Sequence, residues 1–210
     1  PRRWPLYTDL GDAYSVPMAP LEGVPGAITP SSRRLVVLKV DCINIVAVDW
    51  AWSVKKTADH TAIPTGALLP DGRVLILDVF NHRVKLQELA PALAGVCRAW
   101  RPALVGAEVG HPTLSNEFRL YAEIPEIRWL PTRGRNKLTR ALSAIMMGEN
   151  GRLLLPEDAP WKEAYCSQLT SFTGLDDAED DMVDATSYLA TMHSRSGGRG
   201  GATRRCRRFS

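Results

Sequence analysis

The sequence predicts a mixed α/β fold. Segments rich in β-branched residues come first, and helical and strand segments then alternate toward the carboxyl terminus. The chain has 210 residues, of which 45% are apolar, and this excludes both full-length disorder and a small disulfide-stapled scaffold. We therefore expect one layered domain with a five-stranded sheet flanked by helices.

Three strands are predicted before the first helix. Residues 44–50 (NIVAVDW) form a short β-branched run that is typical of a buried strand. Residues 60–69 and 73–80 follow as strands two and three, with the turn signal Pro70-Asp71-Gly72 between them. We expect these three strands to form an antiparallel meander.

Helices and two further strands follow. Apolar spacing predicts helices over 84–100, 113–124, 136–149, 161–172 and 178–192. In the helix over 136–149 it places Leu138, Leu142, Ile145 and Met146 on one face. The short apolar runs 103–109 (ALVGAEV) and 127–130 are predicted to be strands four and five.

The two ends of the chain differ in composition from its middle. Residues 1–30 contain six of the fifteen prolines, so we interpret residues 1–40 as an extended linker or arm and residues 41–193 as the folded domain. Residues 194–210 hold six arginines and no acid, and they are predicted to be a disordered tail. Without this tail 20 basic and 23 acidic residues remain, so the net charge changes from +3 to −3.

Several protein classes are not expected. No run of eighteen apolar residues predicts a membrane-spanning helix, and the first residues lack the pattern of a signal peptide. The four cysteines include no CxxC pair, which argues against structural zinc and fits a reducing compartment. No GxxxxGK[ST] phosphate loop is present, so nucleotide-driven translocation is not expected of this chain.

Acidic residues follow two strands and begin the last helix. Asp49 ends the first predicted strand, Glu108 ends the fourth, and the last helix begins with acids that include Asp180, Asp181 and Asp184. The i,i+3 and i,i+4 spacings place pairs of these helical acids on one face. Carboxylates that converge repel one another unless they bind cations, and Mg²⁺ or Mn²⁺ prefers such oxygens. Two ions about 3.5–4 Å apart suit phosphodiester cleavage.

Each acid taken alone has a simpler interpretation. An acid at a strand end can be solvated or paired with a base, and acids in a first helical turn favour the helix dipole. Asp184 fits this less well, because a like charge three residues earlier is destabilising. Asp41 competes with Asp49 as the acid of the first strand, and we interpret His111 as a loop or core histidine.

Five segments between about residue 44 and residue 192 carry a resemblance to a known family: VAVDWA (46–51), ADHTAI (58–63), ALVGAEVG (103–110), NKLTRAL (136–142) and DDMVDA (180–185). In this order they resemble the nuclease domain of the large terminase subunit of tailed bacteriophages, which has the RNase H-like fold. The resemblance implies a mixed sheet in which strands one to three are antiparallel and the later strands parallel.

The resemblance also implies an activity and its residues. The expected function is a two-metal-ion endonuclease that uses Mg²⁺ or Mn²⁺ to cut concatemeric double-stranded phage DNA during genome packaging, in the host cell cytoplasm. Asp49, Glu108 and Asp181 would be catalytic and hold the metals, with Asp180 and Asp184 as further ligands. Asp59 would orient a ligand, an arginine or a bound water, and four basic residues would contact DNA phosphates: Arg133, Arg135, Lys137 and Arg140.

The implied partners are double-stranded DNA, a terminase ATPase domain outside this chain, the small terminase subunit and the portal protein, with no membrane. Gln168 stands where the family has a glutamate. Two alternatives remain open: a Holliday-junction-type resolvase of the same fold, and a non-cutting DNA-binding or assembly module from a prophage remnant. The proline-rich arm favours the terminase over the resolvase. With two divalent ions bound, the net charge of the body would rise from −3 to about +1.

Overall fold

The computed structural model describes residues 4–18, 33–50, 60–108, 116–130, 137–174 and 181–196. In these ranges the strands are β1 (Leu6–Asp9), β2 (Ala13–Pro17), β3 (Arg34–Leu38), β4 (Ile43–Val48), β5 (Thr61–Leu68), β6 (Val74–His82), β7 (Leu104–Glu108), β8 (Ile127–Leu130) and β9 (Leu153–Pro156). They form one mixed sheet with the strand order β3-β2-β1-β9-β6-β5-β4-β7-β8. The helices are α1 (Leu89–Trp100), α2 (Lys137–Glu149), α3 (Lys162–Ser171) and α4 (Asp181–Ser196).

The centre of the sheet agrees with the sequence-based prediction. β4, β5 and β6 are antiparallel neighbours, and Gly72 provides the positive φ of 80° that the turn between β5 and β6 requires. β7 pairs with β4 in parallel, and β8 pairs with β7 in parallel. The carboxyl ends of β4 and β7 therefore lie side by side at one edge of the sheet.

In the described ranges the sheet has nine strands rather than the five predicted. The five predicted strands correspond to β4–β8, and four more extend the sheet. β1, β2 and β3 lie within residues 1–40, which the sequence predicts to be a linker or arm, and there Tyr7, Tyr14 and Val16 are buried. The prolines do not prevent pairing because Pro5 precedes β1 and Pro17 is the last residue of β2.

Helices cover both faces of the sheet. α2 and α4 pack with Ile45, Ala47 and Ala62 on one face, and α1 packs with Val46, Val48 and Ile63 on the other. A third cluster lies between β1–β3 and the centre of the sheet, and it includes Tyr7, Tyr14 and Leu75. None of the helices in the described ranges is long and apolar enough to cross a membrane.

Two helix predictions differ in detail. Of the predicted helix over 113–124, residues 116–124 are described, and only 116–118 are helical. In α2 the buried residues are Ala141, Ala144 and Met147, whereas Leu138, Leu142 and Met146 are exposed. α2 also packs closely against the amino-terminal segment, because a Cβ on Gly148 would come within 2.8 Å of the Trp4 ring.

Candidate active site

Asp49 and Glu108 occupy equivalent positions on adjacent parallel strands. Val48 pairs with Ala107 in the register of β4 and β7, and Asp49 and Glu108 are the next residues. Side chains alternate between the faces of a strand, so Asp49 lies on the same face as Ala47, which packs beneath α4. The backbone of Asp49 is held by two hydrogen bonds of 3.0 Å with Ala62 of β5.

The first two turns of α4 carry two further acids of this site. Asp181 and Asp184 are buried, with 8% and 6% of their surface exposed. The backbone N–H of His60 donates to Asp181 Oδ2 at 3.2 Å, so the residue before β5 contacts the start of α4. Two carboxylates buried one turn apart repel each other, and a bound cation would offset that cost.

A tyrosine on the same helix joins α4 to the end of β7. The Tyr188 hydroxyl donates to Glu108 Oε2 at 3.1 Å. Asp181, Asp184 and Tyr188 follow an i, i+3, i+7 spacing and therefore share one helical face. Because this face contacts Glu108, and Glu108 neighbours Asp49 in the sheet, four acids from three elements converge at the carboxyl ends of β4 and β7.

α3 anchors the beginning of α4. Gln168 is buried, and its Oε1 accepts a hydrogen bond of 2.7 Å from the Met182 N–H in the first turn of α4. The Tyr165 hydroxyl forms a second buried contact of 2.9 Å with Thr186 Oγ1. The amide of Gln168 thus pairs one of the N–H groups that a helix start leaves without an internal partner. It helps to set the position from which Asp181 is presented.

The donor groups at this site are carboxylate oxygens. Among the described residues, no three His, Cys, Asp or Glu side chains lie close enough together as they stand to hold an ion. The converging groups are nonetheless all carboxylates, and hard divalent cations such as Mg²⁺ and Mn²⁺ are bound by oxygen donors of this kind. The chemistry of the donor set therefore fits such a cation.

The structure places some predicted site residues and not others. Asp41 lies in a short 3-10 helix before β4, at the opposite end of that strand from Asp49, so it is not part of the convergence. Lys137 and Arg140 belong to the first turn of α2. Their side chains lie outside the described part of the chain, and so do the residues Asp59, His111, Arg133, Arg135 and Asp180.

Sequence reasoning missed three contacts at this site: those of Tyr188, Gln168 and the His60 N–H. Tyr188 had a signal in the sequence, because it continues the helical face of Asp181 and Asp184 by one further turn. The other two had none, since a side-chain cap from a different helix and a backbone donor from a strand are tertiary contacts.

Comparisons with known proteins agree with this arrangement. A family model described as the terminase RNase H-like domain matches residues 46–193. The sequence matches no curated protein. The large terminase nuclease from thermophilic phage G20c is 15% identical, with 90% of this chain and 92% of that chain covered and a TM-score of 0.57. It has also been solved with bound zinc, magnesium and cobalt.

Two further structures are similar. For the large terminase nuclease domain of Thermus phage P74-26 the identity is 13%, the coverage 73% of this chain and 82% of that chain, and the TM-score 0.55. For the human cytomegalovirus terminase nuclease domain, soaked with Mn and bound to an inhibitor, the corresponding values are 14%, 73%, 84% and 0.52. At these identities the likeness shows the fold, and the predicted RNase H-like α/β fold is confirmed.

The family assignment rests on the sequence match, which spans residues 46–193 and so includes all four converging acids. The predicted resemblance is therefore confirmed, and the chain belongs to the family of terminase RNase H-like domains.

Proposed function

We propose that the chain is a metal-dependent endonuclease that cuts double-stranded DNA during the packaging of a phage genome. The observation that carries the proposal is the convergence described above: the Asp181, Asp184 and Tyr188 face of α4 meets Glu108, and Glu108 neighbours Asp49. Family membership supports DNA as the substrate, and the similar solved structures include nucleases of phage terminases.

The chain's own residues would bind the metal ions, orient the metal site and contact the DNA phosphates. Two divalent cations would be held by Asp49, Glu108, Asp181 and Asp184. Their oxygen donors favour either Mg²⁺ or Mn²⁺ as these ions. These cations would supply the Lewis acidity that phosphodiester hydrolysis requires. Asp180 would add a further ligand, and Asp59 would orient a ligand, an arginine or a bound water.

Phosphate contacts are proposed for the basic residues at and before the start of α2, namely Arg133, Arg135, Lys137 and Arg140. Such contacts position the duplex without reading its sequence. The proposal also includes a terminase ATPase domain, the small terminase subunit and the portal protein as partners. It places the reaction in the cytoplasm of the host cell.

The test is a comparison of two substitutions in one strand region. Asp49→Asn should lower Mn²⁺-dependent nicking of supercoiled plasmid about 100-fold or more, because a lost ligand costs at least as much as a lost outer partner. Asp41→Asn is the matched control: it makes the same chemical change at the exposed, opposite end of β4, and it should nick like the wild type.

Urea unfolding checks that both variants keep their fold. Asp49→Asn should be as stable as the wild type or more stable without metal, because the change relieves repulsion between carboxylates. Equal nicking by both variants, or a collapse of stability in Asp49→Asn alone, would contradict the proposed role of this acid.

A further inference from the structure

The hydroxyl of Tyr188 makes a contact that packing does not require. Tyr188 is 3% exposed and belongs to the core cluster between the sheet and α4. A phenylalanine ring would fill the same space. The hydroxyl adds a hydrogen bond of 3.1 Å to Glu108 Oε2 at the end of β7. A phenol donates to a carboxylate, so this bond engages one of the two oxygens of Glu108.

The position of Tyr188 connects Glu108 to the helix that carries Asp181 and Asp184. It follows Asp184 by one helical turn on the same face of α4, so its ring moves with the helix that carries Asp181 and Asp184. Glu108 belongs to β7 and has a longer, more flexible side chain than an aspartate. The hydrogen bond therefore ties the most flexible of the four acids to the element that presents two of the others. Asp181 is held in a comparable way by the backbone N–H of His60.

We infer that Tyr188 is a positioning residue of the divalent-cation site, which acts by fixing the orientation of the Glu108 carboxylate. This inference rests on the proposed function, because it assigns Tyr188 a task only if Glu108 binds metal. Residues that orient metal ligands from outside the coordination sphere typically change metal affinity or activity 10–100-fold when they are removed.

The experiment compares Tyr188→Phe with Tyr7→Phe. Tyr7 is also buried, and its hydroxyl donates to the Ile76 carbonyl at 2.9 Å, but it lies on β1, four positions from β4 in the sheet. Both variants lose one buried hydroxyl. Mn²⁺ binding without DNA is measured by electron paramagnetic resonance. The Mn²⁺ concentration that gives half-maximal plasmid nicking is measured in parallel.

We expect Tyr188→Phe to bind Mn²⁺ about 10–100-fold more weakly than the wild type and to need correspondingly more Mn²⁺ for nicking. Tyr7→Phe should bind Mn²⁺ like the wild type. Unchanged or tighter Mn²⁺ binding by Tyr188→Phe would overturn the inference, since the hydroxyl would then be idle or would hold Glu108 away from the metal. If the wild type itself neither binds Mn²⁺ nor nicks DNA, the proposed function fails instead.

If Tyr188→Phe is less stable than Tyr7→Phe, a double-mutant cycle separates an effect through Glu108 from a general loss of stability. In a Glu108→Gln background, a residue that acts through Glu108 has little left to orient, so Tyr188→Phe should change Mn²⁺ affinity less than twofold. The same loss of affinity in both backgrounds would show a general structural effect and overturn the inference.

Discussion

The packing of α4 against β7 depends on the absence of a side chain at Gly106. Gly106 lies in β7 opposite Ala47 of β4, two residues before Glu108. A Cβ at this position would overlap the Met192 sulfur and lie 2.9 Å from its Cε and 3.1 Å from its Cγ. Met192 is fully buried, so it has little room to yield. Gly106→Ala should therefore overpack the interface between α4 and the sheet.

The expected cost follows from these distances. Overpacking a well-packed core typically costs about 1–3 kcal/mol. Replacing a strand glycine by alanine returns about 0.5–1 kcal/mol of backbone entropy, so the net loss lies between roughly 0 and 2.5 kcal/mol, with a central value of about 1 kcal/mol. For a chain of this size the central value corresponds to a decrease in Tm of about 2–4 °C.

The matched control is Gly95→Ala in α1. A Cβ on Gly95 would meet nothing within 4 Å, so the same chemical change carries no steric cost there. It should stabilise the protein by about 0.4–1 kcal/mol through backbone entropy and helix propensity. The two substitutions are thus expected to shift stability in opposite directions.

Urea unfolding measures the change in unfolding free energy of both variants, provided that its dependence on urea concentration stays the same. A double-mutant cycle then tests whether the contact with Met192 causes the loss in Gly106→Ala. Met192→Val removes the overlapping sulfur and Cε, so it should recover about 1–2 kcal/mol in the Gly106→Ala background beyond its effect alone. A Gly106→Ala protein as stable as Gly95→Ala, or additive behaviour with Met192→Val, would refute the proposed contact between β7 and α4.

Two further outcomes are expected. Gln168→Leu should lower the free energy of unfolding by about 1–3 kcal/mol, because it leaves the buried Met182 N–H unpaired. The control Gln87→Leu, on the exposed surface, should change the free energy of unfolding by less than about 0.5 kcal/mol. Equal urea midpoints for the two variants would show that the helix cap is dispensable. Burial raises the pKa of Cys97 to about 12 and that of Tyr14 to about 12. Each group therefore keeps its proton to higher pH in the folded protein than in the unfolded protein. Its contribution to stability is complete below its pKa in the unfolded protein and is lost as pH rises toward 12. Urea midpoints should therefore fall steadily from pH 8 to pH 11, and a midpoint constant over this range would contradict the burial of these groups.

Local signals explain why part of the fold was predictable. β4 to β8 have β-branched or apolar runs bounded by turns. Most residues of β4, β5 and β7 are buried, so hydrophobic pattern and location agree in these strands. β9 has only four residues, and β1 to β3 are short, contain polar residues and lie near prolines. Their strand conformation comes from pairing with neighbours, which composition does not reveal.

α2 shows how tertiary packing can override an apolar pattern. Its large apolar residues Leu138, Leu142 and Met146 are exposed, while Ala141 and Ala144 face the core. Helical spacing correctly predicts which residues share a face. It does not say which face packs, because that depends on how closely the neighbouring elements approach.

The sequence by itself determined the identity and order of the acids: Asp49 and Glu108 at two strand ends, and Asp181 with Asp184 on one face of the last helix. Those positions follow from strand and helix periodicity, which are local properties. Only the tertiary structure decided that these ends meet, because the parallel register of β4 with β7 and the docking of α4 through Gly106 and Tyr188 are contacts between residues far apart in the chain.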